Sequence, residues 1–134
     1  MTDIEKTLTI AAPVEKVWAA LTGSQTIRAW MGDDSTVEVD LKVGGRYRLF
    51  GGDTTGAFTE VGQPYTLEYT WRQGEWPADW PDSVVRWELA AADSATKVRL
   101  THRAFPNKQE RDSHDEGWDI YWLGPMKEWL ESSD

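Results

Sequence analysis

Two histidines and one glutamate are the residues whose type and spacing could do chemistry in this chain. His102 ends the alternating run Val98, Leu100, His102, so an inward-facing set of even positions would put an imidazole at the end of an apolar strand face. There it could hydrogen-bond a ligand carbonyl or act as a general base. By the same parity Glu60 shares a face with Phe58, and a buried carboxylate beside a histidine would be an acid/base pair, with burial raising the carboxyl pKa. The competing reading is structural: His102 as a buried histidine holding the last strand against a helix, Glu60 at a strand end in water. His114 sits in the polar run Asp112-Ser113-His114-Asp115-Glu116, which reads as helix capping, since carboxylates are stabilising near a helix N-terminus.

Other chemistries lack their residues. The chain has no cysteine, which removes disulfides, thiolate metal sites and cysteine nucleophiles together. The two histidines show no metal-ligand spacing, and no Gly-x-Ser-x-Gly elbow supports Ser-His-Asp catalysis. Gly44-Gly45 precedes a strand rather than a helix, so it reads as a turn or bulge and not as a phosphate cradle. Neither a metal nor a cofactor is called for.

Aromatic side chains are the unusual feature. Nine tryptophans among 134 residues is several-fold above an ordinary share, and each indole buries on the order of 150 to 250 Å² when inside. Tyr47, Phe58, Tyr65, Tyr69, Trp71, Trp87, Trp118, Tyr121 and Trp122, with Leu100 and His102, read either as the walls of a pocket for a planar or acyl ligand or as a solid aromatic core. Trp76 and Trp80 fall in an acidic, proline-containing segment, 73–82, and suggest a lid over the pocket entrance.

The elements that must position these groups follow from periodicity. Ile4, Leu8 and Ile10 alternate with polar residues over 3–11 and predict a first strand, with Lys6 as its misfit. Pro13 opens a helix carrying Val14, Val17, Trp18 and Leu21; Ser24 is expected to cap a second short helix ending at Trp30-Met31-Gly32. From Thr36 to Thr101 strands alternate with turns, and Tyr65, Leu67, Tyr69 and Trp71 share a face on this reading. The tail from about Lys108 to Leu130 is one long amphipathic helix, with Trp118, Trp122, Met126 and Trp129 on its stripe. Gly124-Pro125 predicts a kink or break in it.

A length of 134 residues suits one domain with one core. The net charge of -9 repels phosphate backbones and anionic bilayers, so nucleic acid and membrane are not expected partners. The N-terminal residues Met1 to Lys6 lack a signal peptide's regions and no run spans a membrane, which leaves the cytoplasm by default. A monomer and a homodimer both fit.

The order strand, two short helices, strands, long C-terminal helix is α+β, a sheet wrapped on a helix. Specific segments narrow it: Ala12 to Thr22, Trp30-Met31, Val43 to Arg48, Gly56 to Val61, Leu67 to Trp71, Leu100-Thr101-His102 with Phe105, and Gly117-Trp118. In that order they resemble the START-like superfamily, and within it the branch related to the C-terminal domain of the activator of heat-shock protein 90 ATPase. The resemblance runs from Ile4 to about Leu130. It implies a helix-grip fold, about six or seven curved antiparallel strands around the C-terminal helix, with a cavity between them. It also implies three kinds of function: a binding domain for an apolar aromatic, lipid or polyketide-like molecule; a cyclase or hydrolase using His102 and Glu60; or a chaperone co-factor. The extra N-terminal domain of the eukaryotic activators has no counterpart here, which counts against ATPase stimulation.

Overall fold

A computed structural model describes residues 3–32 and 37–132, so the strand start read at Thr36 and the residues Met1 and Thr2 lie outside the described residues. The chain runs β1 (Ile4–Ile10), α1 (Val14–Thr22), α2 (Ser24–Met31), β2 (Glu38–Val39), β3 (Arg46–Leu49), a single 3-10 turn (Phe50–Gly52), β4 (Thr54–Gly62), β5 (Thr66–Gln73), β6 (Ser83–Ala92) and β7 (Ala95–Arg103). The C-terminal helix follows as α3 (Lys108–Gly117), a π-helical stretch (Trp118–Leu123) and α4 (Gly124–Ser132). All pairings are antiparallel in the order β1-β7-β6-β5-β4-β3-β2, so each strand beyond β1 lies beside its neighbour in sequence. This is the expected α+β helix-grip arrangement. No described helix is long and apolar enough to cross a membrane.

Period-two burial builds the inner face of the sheet. Leu67, Tyr69 and Trp71 of β5, Val85, Trp87 and Leu89 of β6, and Val98, Leu100 and His102 of β7 are buried, while Arg86, Glu88 and Arg99 between them reach outward. Against this face pack Val17, Trp18 and Leu21 of α1, Ile27 and Trp30 of α2, and the stripe Trp118, Trp122, Met126 and Leu130 of the long helix. Lys6 is the misfit because it faces the helix across the open edge of β1, and its ammonium reaches Asp115 and Asp119, both at 3.0 Å.

Several expectations change in detail. Gly23, not Ser24, precedes α2 as its cap, and Ser24 is already helical; the helix ends on Gly32 with φ 67°, a left-handed conformation that glycine adopts without a steric penalty. Tyr65 sits in the turn before β5 and is half exposed, off the buried face of that strand. At Gly124-Pro125 the helix does not break. The N–H of Gly124 reaches five residues back to the carbonyl of Asp119, and the wide turn this makes absorbs a proline that has no N–H to give.

One irregularity decides the fate of a predicted pair. Phe58 faces Tyr69 in the β4–β5 ladder, but Glu60 faces Glu68, so two steps along β4 match one along β5. The extra residue is Thr59. This β-bulge reverses the parity, so Glu60 lies on the outer face, where it ion-pairs with Arg86 at 2.9 Å beside Glu68. Glu60 is exposed and His102 is buried on the opposite side, and the acid/base pair is not formed.

Candidate functional site

His102 is wholly inside the protein and its polar capacity is filled. The indole Nε1–H of Trp118 donates to His102 Nδ1 at 3.0 Å, so the ring proton sits on Nε2, which lies 2.7 Å from Ser83 Oγ. Ser83 in turn donates to the carbonyl of Trp71 at 2.9 Å. Burial, and secondarily the nearby His114 ring, push the His102 pKa well below the ordinary imidazole value. The chain of bonds ties β7, β6, β5 and the long helix together. It leaves no nitrogen free for a ligand.

In front of this line a groove opens between the end of the sheet and the helix, with a volume of about 540 Å³. Its floor is aromatic: Trp71 from β5 with Trp118 and Trp122 from the π-helical stretch, ring centroids 4.9 to 6.0 Å apart. Phe50, Asp53 and Thr54 form one wall, Gln73 and Glu75 the next. The helix supplies Glu110, Ser113, His114, Gly117 and Tyr121. Gly117 keeps its part of the wall low, because a Cβ there would meet only the Tyr121 ring at 3.9 Å.

His114 is the polar centre of the groove. Its Nδ1 lies 2.7 Å from the carbonyl of Glu110, an acceptor only, so Nδ1 carries the proton and Nε2 accepts from the Trp71 indole at 3.1 Å. The Gln73 amide nitrogen stands 3.3 Å from the same Nε2, and Gln73 Oε1 accepts from Thr54 Oγ1 at 2.9 Å. Both histidines therefore grip the polar edge of a floor tryptophan. Among the described residues no group of His, Asp or Glu could hold a metal ion.

A family model described as "Activator of Hsp90 ATPase homolog 1-like protein" matches residues 11–131. The chain belongs to that family. As a member of the Hsp90-ATPase-activator-homologue family it is 30% identical to an HSP90 activator from Plasmodium falciparum, with a TM-score of 0.87 over 97% of this chain and 96% of that one. CalU16 from Micromonospora echinospora superposes with a TM-score of 0.80 at 25% identity, covering 97% of this chain and 76% of that one. A protein of Schizosaccharomyces pombe described as uncharacterised is 25% identical over 93% of this chain, which spans only 36% of that protein's length.

Within this family member the expected pocket residues divide in two. Trp71, Trp118, Tyr121 and Trp122 line the groove, Tyr121 at its rim with 64% exposure. Tyr47, Phe58, Tyr69, Trp87, Leu100 and His102 do not; they are close-packed core. Tyr47 and Tyr69 meet edge to face at 4.9 Å, and Trp87 meets Trp118 at 5.7 Å. The buried hydroxyls are satisfied: Tyr47 donates to the carbonyl of Thr70, Tyr69 accepts from Trp87 Nε1, and burial raises both phenol pKa values. The space between sheet and helix is thus filled with rings, and the opening lies at its end. Trp76 and Trp80 do not line the groove either. Trp76 is 5% exposed, meets Trp80 at a tilt with ring centroids 6.1 Å apart and donates to Glu110 Oε1 at 2.7 Å, which ties the segment 73–82 to α3 beside the opening.

The polar run around His114 predicts a capping residue, but the structure places it in the wall. Asn107 does the capping, accepting from the backbone of Glu110 at 2.8 Å. The signal that finds His114 is its spacing: 114, 118 and 122 stand four apart and share a helix face with the two floor tryptophans. Gly117 inside a long helix is the second signal. Phe50, Asp53, Gln73 and Glu75 come from turns and strand ends and leave no pattern in the sequence.

Proposed function

We propose that the chain is a small-molecule-binding domain without chemistry of its own, and that the groove over Trp71, Trp118 and Trp122 is where a flat apolar ligand lies. The observation that carries this is the groove's construction. Its volume falls within the range of ordinary ligand sites, and three indoles form the floor beneath a rim of polar side chains. Affinity comes mainly from apolar area, about 25 cal/mol for each Å² removed from water. A cyclase or hydrolase reading finds little support, because His102 is sealed with both nitrogens engaged and Glu60 faces the other side of the sheet.

The test uses thermal unfolding with and without neutral planar aromatics, in the natural chain and in Gly117→Leu. A ligand that binds only the native state raises the melting temperature, by the equivalent of about 2.7 kcal/mol at a hundredfold excess over Kd. The leucine fills the groove without altering the helix. The reading expects a shift in the natural chain that Gly117→Leu loses; equal shifts in both would place the ligand elsewhere.

A second reading has its own observation. Ile120 and Tyr121 expose 52% and 64% of their surface on the same helix, and the similarity to an HSP90 activator extends over nearly the whole of that protein. Here the helix face would contact a chaperone. Stimulation of Hsp90 ATPase by the purified chain, lost in Ile120→Asp and kept in Gly117→Leu, would favour it.

A further inference from the structure

The contact between His114 and Trp71 closes the floor of the groove, and it suits one protonation state only. The ring Nδ1–H of His114 donates to the carbonyl of Glu110 at 2.7 Å, which leaves Nε2 as the one acceptor on the ring. Two donors are aimed at that atom, the Trp71 indole N–H at 3.1 Å and the Gln73 amide nitrogen at 3.3 Å. The floor beneath is shut, with Trp71, Trp118 and Trp122 exposed by 3%, 2% and 4%. His114 itself is half-buried and lines the groove, where water reaches it, whereas His102, 5.4 Å away between ring centroids, is fully enclosed.

We propose that this contact is a proton-operated latch: when His114 takes up a proton its Nε2 stops accepting, Trp71 loses its partner, and the floor opens into the groove. An imidazolium has two donors and no acceptor, so Nε2–H would stand against both the Trp71 N–H and the Gln73 amide. Gln73 resolves its half of the conflict by turning its amide end for end. Its oxygen then accepts from Nε2–H, and its nitrogen takes the oxygen's place beside Thr54 Oγ1, a hydroxyl able to accept. Trp71 has no such exchange. A buried N–H without a partner is unfavourable, and the groove is the space beside it that holds water, so the indole turns that way. The other titratable groups lining the groove are Asp53 from the turn before β4, Glu75 from segment 73–82, Glu110 from α3 and Tyr121 at the rim; from β7 the facing group is His102, which burial keeps neutral. Among the described residues no Lys or Arg lines the groove to oppose a charge on His114. The latch goes beyond the binding reading and does not rest on it, since it operates with the groove empty.

Nuclear magnetic resonance of the natural chain, with no ligand added, tests this between about pH 8 and 5, the range in which imidazole changes charge. The ring signals of His114 report its proton. The indole N–H signals of Trp71 and Trp118, identified by their contacts with the His114 and His102 rings, report the two floor bonds. As His114 titrates, the Trp71 N–H should exchange with water about tenfold or more faster relative to the Trp118 N–H, a ratio in which the intrinsic pH dependence of exchange cancels. In His114→Gln the ratio should stay constant over the same range. A constant ratio in the natural chain while His114 titrates would overturn the latch, as would a His114 that stays neutral down to acid unfolding. Equal acceleration of both indoles would overturn it too, since that reports opening of the whole domain and not of one bond. The comparison within the natural chain decides the matter even if His114→Gln fails to fold, and none of these outcomes bears on whether the groove takes a ligand.

Discussion

Replacing His102 tests whether the buried line from Trp118 to Trp71 holds the fold. His102→Ala removes a fully buried imidazole, leaves the Trp118 indole N–H without an acceptor and takes one partner from Ser83. An orphaned buried donor costs about 1–3 kcal/mol and the void left by a large side chain about 2–5, so a loss of about 3–5 kcal/mol is expected, a large part of a domain's total stability. The pH dependence is the sharper readout. The folded protein holds His102 neutral, with its pKa well below the unfolded value near 6.5. Below that value the unfolded chain takes up a proton and the folded chain does not, so this stability is fully present above it and is lost as pH falls. Between pH 7.5 and 5.5 the loss from this one group is on the order of 1 kcal/mol. Urea unfolding at both pH values, in the natural chain and in His102→Gln, measures it. Glutamine does not titrate, so its curve should be flatter by that amount. Parallel curves for the two proteins would refute the assignment of a neutral, sealed imidazole.

Gly117→Ala should stabilise the protein by about 0.5–1 kcal/mol, because the residue is helical and its Cβ would have room, whereas Gly124→Ala should gain nothing, its Cβ lying 3.0 Å from the carbonyl of Asp119; differential scanning calorimetry separates them. Gly56→Ala would drive a Cβ into the Thr70 carbonyl and to 2.6 Å from the Tyr47 ring, so β4 must move; a loss above about 2 kcal/mol by urea unfolding is expected. Trp76→Phe keeps most of the packing and removes the bond to Glu110, which should cost about 1 kcal/mol and speed limited proteolysis within 73–82.

The elements that could be read from the sequence are those buried on one side only. β1, α1, β5 to β7 and the long helix each carry a clear period, and most of the apolar positions on that period are buried, Ile120 and Tyr121 of the long helix being exposed exceptions. The failures have local causes. Thr59 inserts one residue into β4 with no change of composition to announce it, and every parity argument beyond Phe58 is reversed, Glu60 among them. His114 was hidden because its neighbours are charged and the helix looked solvated there; only the four-residue spacing to Trp118 ties it to the buried face. Composition gave the abundance of rings but not whether they pack on each other or leave room. That depends on the distance between sheet and helix, which no short segment encodes.

Stability and binding meet in two tryptophans. Trp71 and Trp118 border the groove while only 3% and 2% exposed, and each gives its indole N–H to a histidine, Trp71 to His114 and Trp118 to His102. An indole held only by apolar contacts can slide and tilt. One that is also held by a directed N–H bond has its plane fixed before a ligand arrives, and less conformational freedom is then lost on binding. The carbonyl of Trp71 closes the same circuit through Ser83, so the floor is anchored to β5, β6, β7 and the helix at once. If the groove binds as proposed, the histidines act by fixing its tryptophans, a role that both can fill while fully hydrogen-bonded.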